Sequence, residues 1–142
     1  MKTFIASVSV LIIVLALTAC ADNSSQKPFI DLNANDILSI YVHAIPPDET
    51  ILLEDMETIE QIVDILRTVV VYQMSNGWRD RAGQSVTFTI NKNTGDVVEV
   101  RPTGSFLIID GQGYETEYQP SENLNRIANT LLDTPFGSLP IE

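Results

Sequence analysis

Residues that usually carry out chemistry at enzyme and metal sites are scarce in this sequence. It contains one cysteine, Cys20, and one histidine, His43, among 142 residues. Familiar zinc sites combine several His and Cys ligands, so we expect no metal centre and no cofactor. A serine triad would have to use His43, and the sequence has no GxSxG motif. A single cysteine also excludes an internal disulfide. We therefore expect a protein that is not an enzyme.

Basic residues are also few. Eight Lys and Arg stand against nineteen Asp and Glu, which gives a net charge of −11 at pH 7. Binding to DNA or RNA normally requires a basic surface, so nucleic acid is not an expected partner. An acidic surface of this kind mainly keeps a protein soluble.

The sequence lacks a hydrophobic run long enough for a transmembrane helix, which needs about 20 residues. Its longest apolar run extends from Phe4 to Leu17 and is interrupted at Ser7 and Ser9. Lys2 precedes the run, and small residues follow it. This combination is typical of a secretory signal peptide.

The segment "LTAC", residues 17–20, resembles the lipobox of bacterial lipoproteins. In that family the cysteine sulfur receives a diacylglycerol, and the chain is cut ahead of the cysteine. The resemblance implies a signal peptide at 1–19, lipidation at Cys20 and a location on the extracytoplasmic face of the cell membrane. Two acyl chains anchor a protein firmly, at about 0.8 kcal/mol per buried methylene. Cleavage removes Lys2 and leaves 7 basic against 19 acidic residues, a net charge of −12, so the lipid must supply the attachment.

We expect the mature chain to contain a tether and one domain. We predict that residues 20–34 form the lipidated cysteine and a polar tether, which starts with "ADNSSQKP". Residues 35–142 are enough for one autonomous extracytoplasmic domain of ordinary size. Since Cys20 is the only thiol, this domain must be held together by its core alone.

Hydrophobic periodicity predicts two strands and a helix in the first half of the domain. Alternation over 36–45 predicts a strand that ends at Pro46, and "TILLED" predicts a short return strand. A 3.6-residue period then predicts a helix over 56–68 with Asp55 as its N-cap. The residues predicted to face the core are Leu38, Ile40, Val42, Ala44, Met56, Ile59, Ile62, Val63 and Leu66.

The sequence pattern in the second half of the domain predicts five further strands and a final helix. Strands are predicted at "VVVYQM", "QSVTFTI", "VVEVR", "SFLIID" and "YETEYQ", with Gly95 closing one hairpin and Tyr114, Thr116 and Tyr118 sharing a face. A helix is predicted over 121–132, followed by an irregular tail. We expect an α+β fold in which a small antiparallel sheet carries about two helices on one face of a single domain. The strand order stays open.

Three stretches, about half of the chain together, carry a second resemblance. They are "DILSIYVHAIPPDETILLEDMETIEQIVDIL", "GQSVTFTI" and "SFLIIDGQGYETEYQPSENLNRIAN". The chain resembles small, functionally uncharacterised secreted domains of Gram-positive, chiefly clostridial, bacteria. Such domains occur as lipoproteins and as outward-facing parts of some membrane metallopeptidase-like sensors. The resemblance implies no catalytic residue.

The predicted loop "SNGWRDRAG" is the clearest candidate for a binding site. It places Arg79 and Arg81 beside Trp78, the sole tryptophan, in an acidic protein. Loops carry recognition residues more often than the elements they join, and Trp and Arg are enriched at binding hot spots. These three residues are therefore candidate partner-binding residues. The alternative is that Trp78 covers a sheet edge while the arginines pair with nearby acids.

Acidic side chains support a competing hypothesis. A pair of carboxylates can act as acid and base in glycoside cleavage, whereas His43 is expected on the solvent face of its strand. The acids in question are Asp48, Glu49, Glu54, Asp55, Glu57 and Glu60. The sequence favours a non-catalytic binding or sensing module for a protein or a cell-envelope component. The alternatives are a small envelope hydrolase and a restraint on a neighbouring membrane peptidase or signalling protein.

Substitution of Cys20 tests the anchor. We expect Cys20→Ala to abolish incorporation of a labelled fatty acid and to release the protein from the membrane fraction, because no other thiol can accept the lipid. Metabolic labelling of both forms measures this incorporation. Equal label on the wild type and the variant would contradict lipidation at Cys20.

Overall fold

Residues 24–133 are the part of the chain that the computed structural model describes. The predicted signal peptide at 1–19, the predicted lipidation at Cys20 and the predicted irregular tail at 134–142 lie outside the described residues. None of the helices within 24–133 is both long and apolar enough to span a membrane.

Within the described residues, seven strands and two α-helices follow one another along the chain. The strands are β1 (Ile37–Ile45), β2 (Glu49–Leu53), β3 (Val71–Met74), β4 (Ser85–Lys92), β5 (Val97–Thr103), β6 (Phe106–Ile109) and β7 (Gln112–Thr116), and the helices are α1 (Met56–Arg67) and α2 (Tyr118–Asp133). The strands form one antiparallel sheet in the order β2-β1-β4-β5-β6-β7-β3. The predicted α+β class, antiparallel sheet and single domain are confirmed.

Both helices pack against the same face of the sheet. Helix α1 contacts β1, helix α2 contacts β5 and β6, and the helices contact each other. The apolar stripe of each helix is therefore buried against the strands, as amphipathic helices require. Fully buried side chains in this layer include Ile40, Val42, Val86, Phe88, Ile90, Val100, Ile62, Leu66, Leu124 and Ala128.

Helix α1 begins where the sequence predicts. The Asp55 carboxylate accepts a hydrogen bond from the backbone N–H of Thr58 at 2.8 Å, which satisfies one of the free donors of the first turn. Hydrogen bonding by Thr58, through its side chain and its backbone, lowers the pKa of Asp55. Met56 was predicted in the buried stripe and is instead 42% exposed, because it is the first residue of α1 and lies at the end of the stripe, before the buried Ile59.

Helix α2 begins three residues earlier than predicted, at Tyr118 instead of Ser121. Pro120 lies in its first turn, where the missing N–H costs nothing. Tyr118 is therefore helical and exposed, and it does not share a strand face with Tyr114 and Thr116. That part of the prediction is wrong.

Strand β1 contains a bulge that breaks the predicted alternation. Ile37 pairs with Lys92 and Ser39 with the adjacent Asn91, so Leu38 has no partner on β4. An extra residue in one strand shifts every side chain before it to the other face. Leu38 is consequently 65% exposed, although it was predicted in the core, and Ile37 is buried instead.

The folded domain begins earlier than residue 35. Gln26 and Val71 exchange two backbone hydrogen bonds of 2.8 Å, which adds an antiparallel bridge at the first residue of β3. Phe29 and Leu32 are buried in the core, and Arg67 Nε donates to the Leu32 carbonyl at 2.8 Å. The tether predicted over 20–34 is therefore shorter, because its second half carries apolar side chains that the core accommodates.

A pair of substitutions on α1 tests the assignment of its faces. Ile62 is fully buried and Glu60 is exposed. We expect Ile62→Asp to unfold the domain, because an unpaired buried charge costs several kcal/mol against a total stability of about 5–15 kcal/mol. Glu60→Ala should change the melting temperature little. Equal melting temperatures for the two variants would contradict the assignment.

The Asp55 cap generates a pH-dependent prediction. At pH 7, Asp55→Ala should lower the free energy of unfolding by about 1 kcal/mol. Because the folded-state pKa of Asp55 lies below the unfolded value of about 3.9, this stabilisation is present above pH 4 and is lost as the pH falls through the folded pKa. Denaturant titrations from pH 7 to pH 3 should show the difference shrinking. Glu54→Ala, which removes a neighbouring exposed acid that does not cap the helix, serves as the matched control.

Candidate functional site

The sheet face opposite the helices is only partly covered. Over β2, β1 and β4 it presents polar and aromatic side chains to solvent, among them Tyr41, His43, Thr87 and Thr89. Neither of the described α-helices packs on this side. We call the part of it over β2, β1 and β4 the open face. Thr87 and Thr89 lie on this face because side chains alternate along β4, and its apolar residues Val86, Phe88 and Ile90 all point to the core.

Over β5, β6 and β7 the same face is covered by the segment 75–84, which contains a short 3-10 helix at Gly77–Asp80. Trp78 lies over Gly113 of β7. A Cβ atom at residue 113 would overlap the indole ring and the carbonyl oxygen of Ser75. Ile108 pairs with Gly113 and is only 2% exposed although it lies outside the main core. Trp78 thus covers a small second apolar layer on this face.

The indole N–H of Trp78 is buried without a hydrogen-bond acceptor among residues 24–133. A buried donor left unpaired costs about 1–3 kcal/mol. Trp78 is half-buried, and the apolar contact of its ring with the sheet offsets part of this cost. The position of Trp78 is therefore determined by the fit of the ring over Gly113 and not by a hydrogen bond.

Three arginines surround the aromatic residues of this covered region. The guanidinium carbon Cζ of Arg101 lies 4.8 Å from the centroid of the Trp78 ring, and that of Arg79 lies 5.3 Å from it. Arg81 Cζ lies 5.3 Å from the centroid of Phe106. These distances are typical of cation–π contacts, worth about 0.5–1 kcal/mol at exposed sites. We call these five residues the arginine–aromatic cluster.

The arginines of the cluster are free of acidic partners within the described residues. Arg79, Arg81 and Arg101 form no ion pair and no side-chain hydrogen bond there. Arg67, by contrast, contacts Asp64 at 3.4 Å and donates to a carbonyl. Asp80 lies between Arg79 and Arg81 in sequence and pairs with neither. The guanidinium donors of the cluster therefore stay available to a ligand.

A small groove runs beside the cluster toward the start of β4. Its volume is about 180 Å³. All three arginines line it, and Gln84, Ser85 and Thr103 add neutral polar groups. Strand β5 supplies Arg101 and Thr103 from one side, and the segment 75–84 supplies Arg79 and Arg81 from the other. The arrangement can bind an anionic group.

The structure brings the predicted residues Trp78, Arg79 and Arg81 together and adds two that the sequence analysis missed. Arg101 and Phe106 join them from β5 and β6. The sequence analysis predicted a strand at "VVEVR" but assigned no face to Arg101, and only knowledge of the strand order could have placed this residue near Trp78. Trp78 covers a sheet face and not an edge, and the expected pairing of the arginines with acids does not occur within residues 24–133.

A larger groove of about 480 Å³ lies near the N-terminal segment of the domain. Four carboxylates line it together with Lys92. Two of these carboxylates hold turns, since Asp110 accepts from the backbone N–H of Glu99 at 2.8 Å and Asp96 from the Thr94 hydroxyl at 2.9 Å. The other two are Asp31 and Asp36. Within 24–133 no group of three His, Cys, Asp or Glu is arranged to hold a metal ion.

Of the six acids considered for acid–base chemistry, one contacts His43, one caps a helix, one lines a groove, and the other three are exposed. His43 lies opposite the apolar residues of β1, as predicted, and its Nε2 is 2.8 Å from Asp48 Oδ1. Asp55 caps α1, and Glu60 lines a separate groove with Asp64 and Arg67. The remaining acids are Glu49, Glu54 and Glu57, all exposed. In the described residues, each of these carboxylates therefore either contacts another group of the protein or is exposed to solvent.

Comparison with protein families, with curated proteins and with solved structures finds no match for this chain. The resemblances drawn from "LTAC" and from the three longer stretches therefore stay predictions.

The fit of Trp78 over Gly113 is testable by its fluorescence. We expect Gly113→Ala to displace the indole from the sheet, because the new Cβ overlaps it. Trp78 is the only tryptophan, so its emission should shift to the red and its quenching by iodide should increase. Ser105→Ala, an exposed change in the neighbouring β5–β6 turn, should leave both unchanged. An unaltered spectrum in Gly113→Ala would contradict this contact.

Proposed function

We propose that this protein is a lipid-anchored, extracytoplasmic binding module that captures an anionic envelope component or partner through the arginine–aromatic cluster. One observation carries this proposal, namely that Arg79, Arg81 and Arg101 converge on one groove without acidic partners in the described residues. The location on the membrane rests on the "LTAC" segment and on the signal-peptide pattern before it.

The charge distribution supports a binding role for this cluster. Only seven Lys and Arg follow Cys20, and three of them belong to the cluster, in a mature chain of net charge −12. An isolated basic patch on an acidic surface attracts an anion locally, while the rest of the surface repels polyanions. The cluster is thus the region of the described surface best suited to an anionic ligand.

The support beneath the arginines also favours binding. Arg101 is carried by strand β5, in the middle of the sheet, and Trp78 packs on β7. Side chains held by packing lose less conformational freedom when a ligand binds than mobile side chains do. A rigid platform with free guanidinium groups is suited to recognition and does not by itself supply a nucleophile or a base.

Photo-crosslinking in intact cells tests the proposed function. A photoreactive amino acid at Ala82, which lines the groove, should give a specific adduct, whereas the same amino acid at the exposed Gln61 of α1 should not. Adding Arg79→Gln and Arg81→Gln should reduce the adduct at least tenfold without changing the melting temperature. Arg126→Gln removes one exposed positive charge from α2 and serves as the control.

Identical adducts at positions 82 and 61 would contradict the proposal. An adduct at position 82 that is insensitive to both arginine substitutions would show that the loop, but not the cluster, contacts the partner, and this too would contradict it.

A further inference from the structure

We infer that the groove beside Arg79, Arg81 and Arg101 binds one phosphate group, carried as a phosphomonoester on a small molecule. The inference rests on the proposed function and deepens it, because it names the class of ligand.

The number of free guanidinium groups points to a phosphate. Each guanidinium offers five N–H donors in a planar fork. One arginine can satisfy a carboxylate by two parallel hydrogen bonds, so three arginines exceed what a single carboxylate uses. A phosphomonoester presents three terminal oxygens and a charge of about −1.5 to −2 at pH 7. Arg79, Arg81 and Arg101, which line the same groove, match that oxygen count.

Neighbouring carboxylates do not occupy the guanidinium donors. Asp80 lies between two of the arginines in sequence, and Glu99 lies two residues before Arg101 on the same face of β5. Both acids are close along the chain, yet neither forms an ion pair with the cluster. The guanidinium groups instead contact the Trp78 and Phe106 rings. The N–H donors of the three arginines therefore stay available to a ligand.

The charge of the protein favours a ligand with a single phosphate. Three guanidinium groups line the groove, whereas the sequence after Cys20 has a net charge of −12. The surface outside the three arginines therefore repels further negative charge. A polyanion is disfavoured relative to a ligand with one phosphate.

The size and lining of the groove fit a small headgroup. Its volume of about 180 Å³ is below the roughly 300–1,000 Å³ typical of pockets for drug-sized ligands. Ser85 and Thr103 line it with hydroxyl groups, which can donate to phosphate oxygens that the arginines leave free. Gln84 and Ser85 bring the lining of the groove to the start of β4.

Trp78 offers a direct readout, since it is the only tryptophan and two of the three arginines contact its ring. The mature protein in non-ionic detergent is titrated at low salt with glycerol 3-phosphate, inorganic phosphate, dimethyl phosphate and acetate. We expect a saturable change in Trp78 emission with glycerol 3-phosphate, and at least tenfold weaker binding of acetate and dimethyl phosphate. Binding should strengthen from pH 5 to pH 7 as the second proton leaves the phosphate, whose pKa is about 6.

Single substitutions separate the site from general charge effects. Arg101→Gln and Arg81→Gln should each weaken glycerol 3-phosphate binding at least tenfold, whereas Arg126→Gln, with the same change in charge, should not. The cation–π contact of Arg81 is with Phe106, so its variant removes no cation–π contact from the Trp78 reporter. The melting temperature of each variant identifies any loss of folding.

Several results would overturn the inference. Acetate binding as tightly as glycerol 3-phosphate would make the site a carboxylate site, and tighter binding of inorganic phosphate would name the free ion as ligand. Equal weakening by Arg126→Gln, or no binding of any probe, would show that the groove is not a phosphate site.

The photo-crosslinking experiment separates this failure from a failure of the proposed function. If no probe binds but the adduct at position 82 still depends on the arginines, the proposed function stands without the phosphate site. If the adduct is absent as well, both proposals are contradicted.

Discussion

Burial of two helical stripes against one face of a seven-stranded sheet is the constraint on which the rest of this structure depends. Helices α1 and α2 supply enough apolar surface for that face only. The opposite face must therefore either carry polar side chains or be covered by another part of the chain. On β4 this face carries threonines, whereas over β5 to β7 it is covered by the segment 75–84, which contains Trp78. The boundary between these two solutions is where the groove forms.

At that boundary, packing and electrostatics support each other. Trp78 sits on Gly113 because glycine leaves room for the ring, and the ring then offers its π-face to Arg79 and Arg101. Cation–π contact positions a guanidinium without consuming its N–H donors, which lie in the guanidinium plane. An ion pair with Asp80 would position an arginine equally well but would occupy those donors. The contact with aromatic rings thus keeps the arginines ordered and free.

The sequence predicted the local features of this fold better than the long-range ones. The period of α1 and its Asp55 cap depend on residues within a few positions of one another, so both were predicted correctly. The bulge at Leu38 depends on how β1 meets β4, and the early start of the domain depends on space for Phe29 and Leu32 in the core. Arg101 joins the cluster only through the strand order. Each of these requires contacts between distant segments, which one sequence does not display.

The bridge between Gln26 and Val71 has a consequence for how the domain meets its surroundings. With Cys20 lipidated, as we propose, five residues, 21–25, separate the lipidated residue from Gln26 in this bridge, and an extended chain spans at most about 3.6 Å per residue. The bridge therefore lies within roughly 20 Å of the lipidated residue. A search for partners then takes place within a thin layer above the membrane, where the effective concentration of any membrane-bound ligand is high. Repulsion between the acidic surface and anionic headgroups would bias the orientation of the domain within that layer.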